Sequence, residues 1–92
     1  MLELKMTVVN KLGMHARAAT CLVQLCDEFD EEITVINNNI EADARSILDL
    51  LMLEAPCGTE LTVRVVGKDE DAETEVMKSI EKLFQQGFYE NT

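Results

Sequence analysis

The apolar residues of this chain switch between two periods, and the order of the switches limits the architectures open to it. Leu2, Leu4, Met6 and Val8 alternate with Glu3, Lys5 and Thr7, the period of a half-buried strand. Asn10 to Gly13 reads as a turn. From Ala16 to about Phe29 the period lengthens. Ala19, Leu22, Cys26 and Phe29 share one helical face, while Arg17, Thr20, Gln24 and Glu28 share another. Ile33–Ile36 and Ile40–Asp43 then flank an all-asparagine connection, Asn37 to Asn39, and asparagine tolerates the left-handed backbone a hairpin turn needs.

Ser46 can cap a short helix over "SILDLLML", with Asp49 at the capping-box position, and Pro56 and Gly58 close that segment. Leu61, Val63 and Val65 predict a fourth strand. A last helix starts near Asp69 and runs to about Gln86, with acids in its first turns, Lys78 and Lys82 later, and Val76, Ile80, Leu83 and Phe84 as its buried stripe. The order is β-α-β-β-α-β-α. Helices laid on one face of an antiparallel sheet would bury every apolar stripe in two layers, an α+β fold. Ninety-two residues suffice for a single domain, 1–92.

The formal net charge of −10 argues against a nucleic-acid partner, where lysine and arginine supply most of the affinity, and disfavours anionic membrane surfaces. No apolar run approaches the ~20 residues of a membrane span, and the N-terminus lacks the continuous apolar segment of a signal peptide. A cytoplasmic protein is expected. One histidine and three cysteines cannot assemble a zinc cluster from those residue types alone, and the low glycine content rules out a glycine-rich phosphate loop. No metal and no cofactor are implied. Cys21 and Cys26 read as small apolar core residues, and Cys57 as an exposed thiol.

The chemistry concentrates in "NKLGMHARAAT". His15 stands where a helical pattern begins, and a helix N-terminus offers unpaired N–H groups and about half a positive charge. That environment favours an uncharged, nucleophilic ring and welcomes an anion attached to it. Arg17, in the first turn, can add a charge-assisted hydrogen bond. A phosphoryl group on His15 fits all of these features, and screening over ~8 Å keeps the remote acids from forbidding it. On composition alone, however, a lone histidine at a helix start is more often a cap or an ordinary surface residue.

"GMHARAAT" followed by "CLVQ", with "RSILDLLML" some way downstream, resembles the HPr family of the bacterial phosphoenolpyruvate-dependent phosphotransferase system. The resemblance implies an open-faced β-sandwich with sheet order 1-4-2-3. It implies a carrier rather than an enzyme: His15 accepts a phosphoryl group on Nδ1 from phosphorylated Enzyme I, Arg17 steadies it, and an Enzyme IIA-type partner receives it. Ser46 falls where many members are phosphorylated by an HPr kinase/phosphorylase, so a regulatory module controlled at Ser46 or His15 is the alternative. Ile47, Leu48 and Leu51, with Met14 beside His15, are expected to form an apolar docking ring. A monomer is expected of a carrier that meets two partners in turn. The chain departs from the family at Ala18, where proline is usual, at Asp49, where glycine or lysine is common, and at Glu54, where glycine is common. Gln24 and Asp27 stand where members working in sugar transport often carry lysine.

Overall fold

The computed structural model describes residues 1–90. Its elements are β1 (Leu2–Thr7), α1 (Ala16–Cys26), β2 (Glu32–Asn37), β3 (Ile40–Asp43), α2 (Ile47–Met52), β4 (Glu60–Val66) and α3 (Glu70–Gln85), followed by a 3-10 turn at Gly87–Tyr89. The strands form one antiparallel sheet in the order β1-β4-β2-β3, with three helices, as expected. β1 and β2 both pair antiparallel with β4, so they run parallel to each other with β4 between them. β3 and β4 likewise flank β2. Each of α1 and α2 therefore bridges a pair of parallel, non-adjacent strands, and the final strand completes the sheet from its middle.

The strand alternation sorts the two faces. Met6, Ile33, Val35, Leu61, Val63 and Val65 point into the core with Leu22, Ile80, Phe84 and Phe88 of the helical layer. Each such side chain contributes ~1.5–3 kcal/mol on leaving water. The opposite face carries Glu3, Lys5, Thr62 and Arg64. Arg64 Nε lies 2.7 Å from Glu3 Oε2, and its Nη1 lies 3.7 Å from Glu41, so one guanidinium spans the open face from β1 towards β3. Leu4 departs from the expected pattern. It faces Val63 across the ladder, yet it keeps 37% of its exposure because β1 is an edge strand that the helices cover incompletely.

Local chemistry explains the boundaries. Asn38 and Asn39 sit at φ 49° and 71°, so the hairpin closes through a two-residue left-handed turn and Asn37 already pairs with Ile40. Helix α1 ends at Cys26, short of Phe29, because Glu28 and Phe29 donate tightened bonds to Leu25 and Cys26. Arg45 Nη2 then takes the carbonyls of Cys26 at 2.9 Å and Phe29 at 2.5 Å, tying that helix end to the loop before α2. Asp69 caps α3 by accepting from Ala72 N–H at 2.8 Å. Cys26 lies in the core, where burial pushes its thiol up to about 12, while Cys57 is exposed.

Glu54 marks a strained point. It follows α2 at φ 50°, a left-handed conformation that costs an L-residue ~1–2 kcal/mol and glycine nothing sterically. Glycine loses more chain entropy on folding, ~0.5–1 kcal/mol. Glu54→Gly should therefore stabilise the domain by about 0.5–1 kcal/mol, read as a rise in the urea midpoint at unchanged slope.

Candidate functional site

The segment between β1 and α1 is built against the chain that follows α2. Gly13 lies at φ 72°, and a Cβ there would stand 2.6 Å from the Ala55 carbonyl oxygen and 2.8 Å from Pro56 Cα. Both neighbours are main chain, so no side-chain rotation could make room. Met14 N–H then donates to the same Ala55 carbonyl at 2.8 Å. These contacts leave the next residue, His15, at the N-cap of α1 with an extended backbone. Its carbonyl accepts the first helical bond, from Ala19 N–H at 2.9 Å. The N–H groups of Ala16, Arg17 and Ala18 therefore precede the helical ladder.

The imidazole is engaged at both nitrogens. Nδ1 accepts from Arg17 N–H at 3.3 Å, so the ring caps its own helix. Nε2 meets the carboxylate of Glu90, beyond α3. The His15 side chain nonetheless keeps 29% of its exposure, whereas that of Glu90 keeps 4%. Hydrogen bonds from His15 and Asn10 hold the Glu90 carboxyl below the usual carboxylate range, with the nearby charge of Arg17 acting in the same direction. Asn10 is itself buried. Its Nδ2 donates to Gly13 O at 2.6 Å and to the two Glu90 oxygens at 2.9 and 3.2 Å.

Arg17 is exposed on the first turn, and its guanidinium makes no hydrogen bond or ion pair among the described residues. Ser46 caps α2, its Oγ accepting from Asp49 N–H at 3.2 Å. The box is not reciprocal: Asp49 Oδ2 accepts from Asp43 N–H at 3.2 Å instead of from Ser46. Of the expected apolar ring, Leu48 is exposed at 67%, Ile47 at 38% and Leu51 at 36%, with Leu50 and Leu53 buried beneath them. Met14 is a correction. It is 5% exposed, because the main-chain bond to Ala55 turns its side chain into the core. The exposed apolar side chains of this loop and of α2 that periodicity did not single out are Val9, Leu12 and Met52. Asn10 and Glu90 were missed as well. A buried asparagine in a turn has no periodic signature, and Glu90 lies far from His15 in sequence.

The described helices include none long and apolar enough to cross a membrane. A compact fold that holds one imidazole at a helix start, open enough for a second protein to reach, is the form of a protein-to-protein group carrier. The family model described as "PTS HPr component phosphorylation site" matches residues 2–86. Phosphocarrier protein NPr of Shewanella violacea is 51% identical over 71 residues, covering 77% of this chain and 78% of that protein. Phosphocarrier protein HPr of Xylella fastidiosa is 40% identical over 92 residues, with full coverage of both. A crystal structure of HPr-C-His from Thermoanaerobacter tengcongensis superposes with a TM-score of 0.89 at 30% identity, over the whole of both chains. The chain belongs to the HPr family of the phosphotransferase system, and it is a phosphocarrier rather than an enzyme.

Gly13→Ala should cost ~2–4 kcal/mol, from the left-handed backbone and the main-chain clash together. Chemical denaturation reads that loss, and a cost below ~1 kcal/mol would mean that the loop yields easily.

Proposed function

We propose that His15 is the phosphoacceptor, taking a phosphoryl group from phosphorylated Enzyme I and passing it to an Enzyme IIA-type partner. The observation that supports this most is the ring at the head of α1, with Nδ1 turned towards the helix start. A phosphoryl group on Nδ1 would displace the long bond from Arg17 N–H and offer its own oxygens to the N–H groups ahead of the ladder. The guanidinium of Arg17, uncommitted among the described residues, is free to swing onto the same group. In this reading the protein works in the cytoplasm, and a monomer suits successive one-to-one encounters.

The partner surface in this reading is α2 with the loop beside it: Ile47, Leu48 and Leu51, joined by Leu12 and Met52. Gln24 is exposed on α1 and Asp27 at its C-cap, so partners shaped for lysines at those places should bind this chain poorly. For Ser46 the reading is primarily structural, as the cap of α2. A phosphate added there by an HPr kinase/phosphorylase would sit beside the Asp49 carboxylate, a repulsion that argues against regulation at Ser46.

Incubation with Enzyme I and phosphoenolpyruvate should place an acid-labile, base-stable label on the protein, and His15→Ala should remain unlabelled. Label that appears only with ATP and a kinase, and maps to Ser46, would favour the regulatory alternative. Arg17→Ala should slow transfer about tenfold while shifting stability by less than ~0.5 kcal/mol, since the side chain is exposed. Leu48→Asp should weaken Enzyme I binding at least about tenfold and leave the unfolding midpoint nearly unchanged. Binding at wild-type strength in that variant would move the docking face elsewhere.

A further inference from the structure

We propose that Glu90, held by Asn10, is a positioning residue that fixes the tautomer of His15 and balances the charge the ring acquires when it takes a phosphoryl group; this rests on the reading of His15 as the acceptor. The bonding pattern permits one neutral ring only. Nδ1 accepts an N–H bond from Arg17, so it carries the lone pair. Nε2 faces a carboxylate, so it carries the proton and donates it. The nitrogen left nucleophilic is the one at the helix start.

The rest of the arrangement exists to bring that carboxylate into place. Gly87, Phe88 and Tyr89 lie consecutively at φ 62°, 57° and 63°, a left-handed run that two of these residues disfavour. Such a backbone persists only where its surroundings over-determine it. Here Phe88 is fully buried and packs edge-on against Phe84, with ring centroids 4.9 Å apart. Tyr89 N–H donates to Gln86 O at 3.2 Å and Glu90 N–H to Gly87 O at 3.1 Å. The strap thus turns the chain back from α3 over the start of α1. At its end Asn10 grips both carboxylate oxygens while its own buried Oδ1 has no partner among the described residues, so its amide is oriented for Glu90 at a cost to itself.

Chemically, the Nδ1 lone pair forms a bond to phosphorus as the bond from phosphorus to an N-phosphoryl donor breaks, its electron pair staying with the donor. The ring keeps its Nε2 proton and gains one positive charge, which the Glu90 carboxylate faces directly. When the group is passed on, the N–P electron pair returns to Nδ1, and the ring is again neutral with its proton on Nε2. No proton need enter or leave. A ring protonated on Nδ1 would first have to shed that proton.

Long-range imidazole proton–nitrogen correlations on the nitrogen-15-labelled protein, recorded where the ring is neutral, read the tautomer directly. The wild type should be predominantly Nε2–H, and Glu90→Ala should shift the tautomer ratio about tenfold towards Nδ1–H. Glu90→Gln keeps an acceptor without the charge. Its ratio should stay within about twofold of wild type, while the rate of phosphoryl acceptance falls about tenfold. A wild-type ring protonated on Nδ1, or a folded Glu90→Ala protein with an unchanged ratio, would overturn the proposal. Should Glu90→Ala fail to fold, the Nε2 proton shift decides: it lies far downfield in the wild type and moves upfield in Glu90→Gln if the carboxylate bond is real, and an unmoved resonance counts against it. Label missing from a wild type that shows the Nε2–H ring would remove His15 as acceptor and leave the clamp standing.

Discussion

The approach of Gly13 to the Ala55 carbonyl is the contact on which the site depends. A chain reversal between an edge strand and a helix could take many paths, and most would leave His15 free to wander. Here a residue without a Cβ lies against main chain, and the next residue donates to that same carbonyl, so the loop has one seat. Asn10 closes the turn from inside by bonding the Gly13 carbonyl. The helix then starts where it must, and its cap is the only histidine of the chain. A reactive side chain on a surface segment can be held as firmly as one in a core when the main chain beneath it is fixed.

Net charge and local charge pull in different directions. In the proposed role of His15, a dianion would be added to a chain that already carries eighteen acidic side chains. Yet screening removes most of them from consideration, and what remains is the immediate shell. One side of the ring faces the N-terminus of α1 and the first-turn arginine, and the other faces a carboxylate held by an amide. An imidazole between positive and negative surroundings is polarised along its own N–N axis. Donor and acceptor roles are thereby separated without burying the ring.

The architecture was legible in the sequence because periodicity reports burial, and burial decides this fold. The strands, the helices, the asparagine hairpin, Leu50 and Leu53 followed from spacing and turn chemistry. The placement of His15 and Arg17 at the start of α1 followed from the point where the helical period begins. What escaped has a common cause. Met14 was placed outside because it adjoins His15, but a single main-chain bond rotates it inward. Leu4 fits the alternation, and only its place on an edge strand leaves it partly uncovered. Glu90 reaches His15 through a left-handed strap of which Gly87 alone carries a sequence signal. Each of these depends on tertiary geometry between distant segments, on which a local pattern is silent.

Helix α2 shows why exposed leucines can persist there. At six residues it is too short to hold itself together, and of its own side chains only Leu50 is buried. Its ends are secured from elsewhere. Ser46 caps the start, worth ~1 kcal/mol for a hydroxyl in that position, and Asp49 ties the same turn back to Asp43. At the other end Asn37 Nδ2, from the hairpin, donates to the Leu53 carbonyl at 2.9 Å. Polar bonds and two buried leucines carry the folding role, so the outward side chains are released from it. That release is what allows Ile47, Leu48 and Leu51 to stand in water as an apolar face without loss to the fold.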